Sequence, residues 1–427
     1  MMPPPRWRAR SGRMARLALI LALSIAPPAM AAEGLTGIDL HIGKALFKRP
    51  WVPAPASTRG DDGLGPLFDA RSCASCHPRD GRASGAVENG TAGRGFVLMI
   101  ARPDGTADPV YGRRFQIDAA PGIAPEGVIA IRDTQLPDGR RARQGVPQEL
   151  AYGPLEAASG ISLRVAPDLH GRGRLADVPD SALLAVEAEQ ARGADGVSGR
   201  LRRIPRPDGS VALGRFGWKA AHATLASQSA EAFFLDLGLS NPLHPEPWGD
   251  CTPAQSACRD APHGDANRTA GSPDDALEIG GPLLDRVVAY VASLPAPDAA
   301  PLTPQLRRAG ERLFAATGCA ACHRPALPTR DGGQARMFTD LLLHEMGPDL
   351  GDTMPEPGAR ASEWRTAPLA GLSQALAQDT GLLHDGRART VEEAVAWHGG
   401  EAAAAARRFG ALSATDRAAL VRYLSSL

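Results

Sequence analysis

Aromatic side chains are scarce: 6 tryptophans, 4 tyrosines and 10 phenylalanines in 427 residues. The core must therefore lean on aliphatic residues. Net charge is missing as well. The 47 basic and 47 acidic residues cancel, which removes the basic field that attracts nucleic acid and any reason to expect a membrane-surface role. The run "LALILALSIA" near the start is too short to span a bilayer, and no later stretch is apolar for long enough to do so. Glycine and proline are plentiful instead, at 47 and 38 residues, so long irregular connections around modest helices are expected.

The apolar run near the start follows Arg6, Arg8, Arg10, Arg13 and Arg16 and precedes Ala29-Met30-Ala31. A basic region, a short apolar region and a small-residue site make a secretory signal. Residues 1–32 are read as that signal, cut after Ala31 or Ala32, with a periplasmic mature chain of the Gram-negative type and no stable membrane span.

Six cysteines sort by spacing into Cys73-Ala-Ser-Cys76-His77, Cys319-Ala-Ala-Cys322-His323, and the pair Cys251 and Cys258. C-x-x-C-H attaches haem c: the two thiols bond the vinyl groups and the histidine becomes the proximal iron ligand. A thioredoxin-like pair needs no histidine, and zinc needs four ligands close together. Two matches in an exported chain point to two haem c groups, on His77 and His323. Cys251 and Cys258 remain as an even pair, either a disulfide closing a short exposed loop or a redox-active dithiol.

Each motif sits in a recurring frame. Gly43-Lys-Ala-Leu46-Phe47 and Gly310-Glu-Arg-Leu313-Phe314 precede the two motifs, and Tyr290-Val-Ala-Ser293-Leu294 and Tyr423-Leu-Ser-Ser426-Leu427 follow them. A leading helix, an attachment site and a closing helix that packs back on the first are the parts of a cytochrome c domain, so the chain reads as an internal duplication. The expected fold is mainly α and loop-rich. It comprises an N-terminal cytochrome c-like domain over 33–294, a Pro-rich linker over 295–304, and a compact C-terminal cytochrome c-like domain over 305–427. A large insertion from about 80 to 270 in the first domain carries turn signals at Pro103, Pro137 and Pro207. "FVLMI" and "GVIAI" within it are candidate small strands.

One histidine lies outside both motifs in a telling place. Thr390-Val-Glu-Glu393 has the pattern of a capping box and Gly399-Gly400 can end a helix. Val391, Ala394, Val395 and His398 then share one apolar face. His398 reads from the residues alone as a core histidine, or as one protonated under the helix dipole.

The segments "DGLGPLFDARSCASCHPRDGR", "LGRFGWKAAHATLASQSAEAFFLDLGLSNPL", "MFTDLLLHEMGPDLGD", "EWRTAPLAGL" and "LLHDGRARTVEEAVAWHGGEA" resemble the dihaem oxidoreductase family, often labelled thiol oxidoreductases and related to bacterial dihaem cytochrome c peroxidases. The thiol label fits poorly, since no C-x-x-C lacks a following histidine. The resemblance implies that His398 is the distal ligand of the haem on Cys319 and Cys322, opposite His323; bis-histidine ligation lowers the potential relative to histidine/methionine. Met337, Met346 and Met354 compete with it. His344 and His384 fit hydrogen bonding behind the ligands, and Arg365 and Arg387 fit propionate neutralisation or a solvated surface.

In the peroxidase relatives a tryptophan stands between the haems, with a leucine seven and a glutamine ten positions on; Trp218, Leu225 and Gln228 keep that spacing. Trp218 is thus an electron bridge by resemblance and a core tryptophan by residue type. An acid follows the glutamine by about ten residues in the relatives, where this chain has Gly238, with Asp236 two earlier. Trp218, Gln228 and Asp236 are the candidate catalytic residues. His170, His222 and Met99 are the candidates for a distal ligand on haem 1, which peroxide chemistry needs open.

Calcium between the domains, near "WRTAP", is implied by the same analogy. Three functions compete: a peroxidase-like enzyme that reduces a small oxidant such as hydrogen peroxide at haem 1 with haem 2 as relay, a non-catalytic dihaem carrier, and a haem-dependent oxidase of a partner protein. Electrons come from a small redox protein or a quinol-linked donor, and no nucleic acid is involved.

Overall fold

The computed structural model describes residues 1–2, 36–58, 60–193, 196–264 and 276–427. The segment read as a secretory signal lies outside them but for Met1 and Met2. No helix among the described residues is long and apolar enough to cross a membrane.

The leading helix of the first frame spans Gly37–Lys48 and begins in a full capping box, with Thr36 and Asp39 each bonded to the other's backbone N–H. Its closing partner, Gly281–Ser293, starts with proline in its first turn, where a missing N–H costs nothing. The second frame repeats the pair as Pro304–Ala316, capped by Thr303, and Ala414–Leu424, capped by Ser413. Both pairs pack through the same residues. Phe47 meets Tyr290 at a ring-centroid distance of 5.5 Å, and Phe314 meets Tyr423 at 5.9 Å. Ser293 and Ser426 each donate a 2.7 Å hydrogen bond to the carbonyl of the tyrosine three residues before. The two frame glycines permit the contact. A Cβ on Gly43 would lie 2.0 Å from the Arg286 carbonyl oxygen, and one on Gly310 would lie 2.2 Å from the Tyr423 Cβ.

The mainly α expectation is overturned. Helix accounts for 32% and strand for 18% of the structure, and among the described residues the strands form several small sheets rather than a few insertions. The three-stranded sheet orders Gly160–Val165, Phe96–Ala101 and Arg114–Phe115, all antiparallel. The four-stranded sheet orders Arg141–Gln148, Val128–Gln135, Thr91–Ala92 and Val87–Glu88. "FVLMI" and "GVIAI" do fall in strands. The physical reason for the miss is that these strands make a core of their own. Phe96, Leu98 and Ile100 alternate inward to meet Ile129, Ile131, Leu163 and Val165. Short ribbons also appear around the second motif, where Leu343–Glu345 pairs with Glu363–Arg365. There the chain is too rich in turns for helices.

Residues Leu35–Leu427 pack as one compact unit. Its largest apolar cluster joins Leu46, Phe47 and Tyr290 to Leu327, Met337, Leu341 and Leu342, so residues around the second motif are packed into the same interior as the first frame.

Candidate functional site

Cys319 follows Gly318 in a single 3-10 turn directly after the helix Pro304–Ala316. Thr317 Oγ1 lies 3.2 Å from Cys319 Sγ. The peptide then brings His323 inward, where its Nδ1 lies 3.2 Å from the Phe338 carbonyl oxygen. Some seventy residues on, the helix Val391–Ala396 is capped by the Thr390 hydroxyl, which accepts from Glu393 N–H at 3.1 Å. The Glu393 carboxylate bonds Arg389 N–H at 2.7 Å rather than Thr390, so the box is half formed. Trp397 is the C-cap, and His398 follows with its Nδ1 2.9 Å from the Ala394 carbonyl oxygen.

His323 and His398 face each other with ring centroids 6.4 Å apart and planes at 42°. Two imidazoles on one metal, with nitrogen bonds of about 2.0 Å and about 1.1 Å from nitrogen to ring centre, give about 6.2 Å. Each Nδ1 donates to a carbonyl, so each Nε2 is left as a lone pair on a neutral ring, the state that binds iron. Burial lowers both pKa values, that of His323 to about 4 with the neighbouring His398 adding to the effect. A haem therefore fits between them.

The surrounding space is a cavity of about 260 Å³ lined by Cys319, Cys322, both histidines and apolar side chains such as Leu372, Val391 and Leu424. Its lining also carries Arg82, Arg172 and Arg365, with Asp168 acting on the first two. Arg365 and Arg172 are buried, and they donate to carbonyls: Gly217 and Thr366 for Arg365, Asp168 for Arg172. Burial lowers the Arg365 pKa to about 9 and that of Arg82 to about 10. Cations held this way need an anion, and haem propionates supply one. Arg387, the other sequence candidate, is differently used: it pairs with Asp385 at 2.8 Å and lies over Trp397 at 4.4 Å.

His344 is clamped between Asp340 Oδ2 at 2.9 Å and Glu401 Oε2 at 2.8 Å, with Cys322 Sγ 3.6 Å away. Burial works against its charge, but the hydrogen bonds to Asp340, Cys322 and Glu401 outweigh it and raise its pKa well above the usual value. His384 is stacked on Trp364 at 3.7 Å and meets Trp218 edge-on at 6.5 Å. Burial and the charges of Arg387, Arg164, Lys219 and Arg82 hold it neutral. Met337 and Met354 are buried in the interior, and Met346 lines the cavity.

At the first motif, Ser72 caps the turn Cys73–Cys76 by accepting from Ser75 N–H. His77 Nδ1 lies 3.2 Å from the Gly81 carbonyl oxygen, and the ring lies 6.4 Å from Phe47. Burial lowers its pKa. His77 Nδ1 thus donates to a carbonyl as that of its counterpart His323 does, and the Pro167 carbonyl is a second backbone partner of the His77 ring.

The sequence candidates for the opposite side do not face it. His170 Nδ1 bonds Asp168 at 2.8 Å beside a small polar cavity that also holds Gly81, which is the proximal side of His77. His222 Nε2 is held by Glu231 at 2.9 Å. Met99 is half-buried in the strand Phe96–Ala101, between two neighbours. Among the described residues, no imidazole faces His77 as His398 faces His323.

Trp218 is buried, lines the large cavity, and donates from Nε1 to the Val165 carbonyl oxygen at 2.8 Å. Arg82 lies over its ring at 5.3 Å. Gln228 sits beside Gly217, where a Cβ would be 3.4 Å from its Oε1. Asp236 is apart from them, ion-paired with Arg114, which also lies 3.7 Å from Asp69. Gly238, at the place of the relatives' acid, ends the helix Leu225–Leu237 in the left-handed region at φ 67.

Sequence reasoning missed Glu231, one helical turn after Gln228. It bonds His222, has Arg113 3.5 Å away, and is held at about 2: burial raises its pKa, but the His222 hydrogen bond and the His222, Arg113 and Arg114 charges outweigh that. The i, i+3 spacing from Gln228 was the available signal. Cys251 and Cys258 are disulfide-bonded with Cα atoms 6.1 Å apart. Both are buried against Leu67 and Trp248, so the loop is not the exposed one expected.

Two C-x-x-C-H turns whose histidines each bond a carbonyl through Nδ1, one of them facing a second imidazole across a largely apolar cavity, define a two-haem redox protein. The chain belongs to the di-haem oxidoreductase family: the family model described as "Di-haem oxidoreductase, putative peroxidase" matches residues 20–94 and 147–427. No curated protein matches the chain. A solved structure of hydrazine synthase from Kuenenia stuttgartiensis, pressurised with 20 bar xenon, aligns over 97% of this chain and 100% of that one at 15% identity and a TM-score of 0.36. At that score the likeness carries no argument.

Proposed function

We propose that the protein is a periplasmic c-type dihaem oxidoreductase that reduces a small oxidant such as hydrogen peroxide at haem 1, with haem 2 as the electron relay. The asymmetry between the two histidine sites carries this reading. His323 is matched by His398, so the two would hold a haem 2 iron from both sides, an arrangement suited to electron transfer alone. His77 has no such imidazole partner among the described residues, so it would hold a haem 1 iron from one side only. A bound haem supplies the one-electron chemistry and the site where oxidant binds.

This chain's own residues do the rest. His77, His323 and His398 each donate from Nδ1 to a carbonyl. Arg82, Arg172 and Arg365 hold the propionate end. Trp218 is buried and lines that cavity. Gln228 and Glu231 stand on the helix after Trp218, and Glu231 holds His222 Nε2 at 2.9 Å. Asp236 is ion-paired with Arg114 through Oδ1. Its electrons come from a small redox protein or a quinol-linked donor. Calcium has no part in the proposal, because the Thr366 carbonyl oxygen within "WRTAP" already accepts from Thr339 and Arg365.

Low-temperature EPR of the oxidised, haem-loaded protein tests the reading. One high-spin and one low-spin ferric signal are expected, the high-spin one being lost on adding peroxide. Two low-spin signals indifferent to peroxide would mean a dihaem carrier instead.

A further inference from the structure

The family match leaves out residues 95–146, and much of that gap is an antiparallel hairpin of Val128–Gln135 and Arg141–Gln148. Its turn, Leu136 to Arg140, does not project into solvent alone. Leu136 and Ala142 pack against the cluster of Trp218, Leu350, Trp364 and Trp397. Arg140 is fixed from three directions. Its Nε donates to Asp138 Oδ2 at 2.7 Å, its Nη2 donates to Asp349 Oδ2 at 2.6 Å, and its guanidinium lies 4.5 Å from the centre of the Trp397 ring.

Trp397 is 3% exposed, caps the helix Val391–Ala396, and immediately precedes His398. Further bonds tie the same hairpin to the chain leading into that helix. Arg141 donates to the Arg387 carbonyl at 2.8 Å, and Arg143 donates to the Asp385 and Gly386 carbonyls at 3.4 and 3.3 Å. The hairpin thus grips the segment that delivers the second imidazole.

We propose that Arg140 is a positioning residue for haem 2: by holding Trp397 in place, this hairpin keeps His398 on the iron. The inference rests on His398 being the distal ligand of haem 2. A six-coordinate iron takes up another ligand only after its own has left, and His398 leaves by moving the helix end that Trp397 anchors. Arg140 over a buried tryptophan opposes that motion, by an amount equivalent to roughly fivefold to tenfold in the rate of leaving.

The test uses the full-length, haem-loaded ferric protein and follows the rate at which cyanide replaces the low-spin EPR signal of haem 2. Arg140→Ala is expected to raise that rate roughly fivefold to tenfold, and Asp349→Asn to raise it by less, since it frees one end of the same guanidinium. Arg140→Lys restores part of the wild-type rate. Rates within twofold of wild type in both Arg140→Ala and Asp349→Asn would overturn the positioning role. His398→Ala separates this from failure of the ligand assignment: it turns haem 2 high-spin if His398 is the ligand, and leaves it low-spin if that reading is wrong. Because Asp349 lies at the surface, its variant still reports where Arg140→Ala does not accumulate.

Discussion

Replacing Gly43 by alanine tests whether the repeated helix pair is held by backbone proximity. In an ordinary exposed helix this change stabilises by about 1 kcal/mol, because alanine loses less backbone entropy. Here the added methyl would stand 2.0 Å from the Arg286 carbonyl oxygen and 3.0 Å from Tyr290 Cβ. Ordinary contact is about 3.5 Å, so the leading and closing helices must part by over roughly 1 Å. Overpacking of this kind costs about 1–3 kcal/mol, net of the helical gain. The apparent Tm, read from far-UV circular dichroism, should fall by about 1–4 °C. Parting the helices also moves Phe47 off His77, so the Soret band of haem 1 should shift in the same variant. Gly410→Ala is the control, since nothing lies within 4 Å of a Cβ there, and its Tm should hold or rise. A Gly43→Ala protein as stable as the control would refute the close-packing argument.

Asp69 is buried, and burial, opposed by Arg114, raises its pKa to about 7. Between about pH 4 and that value the native state keeps a proton the unfolded chain releases, so stability falls as pH rises, by at most about 4 kcal/mol. Asp69→Asn should flatten this slope in urea titrations at pH 5 and pH 8; an unchanged slope would assign it to another group. Trp218→Phe should slow electron transfer from haem 2 to haem 1 in stopped-flow reduction, leave both haem spectra in place, and cost about 1 kcal/mol through the lost bond to the Val165 carbonyl. Equal transfer rates would remove it from the route. Replacing Cys251 and Cys258 together by serine should lower stability by about 2.5 kcal/mol from loop entropy alone, measured by denaturant midpoint.

The helix pairs were legible because their logic is local. A cap, an apolar stripe and a G-x-x-L-F or Y-x-x-S-L signature sit within a dozen residues each, and the structure pairs them through Phe47 with Tyr290 and Phe314 with Tyr423. The sheets were not legible as a second core, because Phe96, Leu98 and Ile100 find Ile129 and Leu163 only after long excursions in sequence. The same limit applies to polar groups. The clamp of Asp340 and Glu401 on His344 joins residues 57 apart in sequence at its wider span, and nothing in either segment announces the other. Asp236 was chosen for its nearness to a position in the relatives, and its true partner, Arg114, lies in a strand more than a hundred residues earlier.

The interior that joins Leu46, Phe47 and Tyr290 to Leu327, Met337, Leu341 and Leu342 binds the surroundings of the two motifs into one oil phase, so neither can be excised without wetting the face it lends the other. A hinge is impossible where the joint is itself the core. The spacing between the two cofactor seats is therefore a fixed baseline. Any control over the current that passes between them must act on the ligands at its two ends, with the distance held constant.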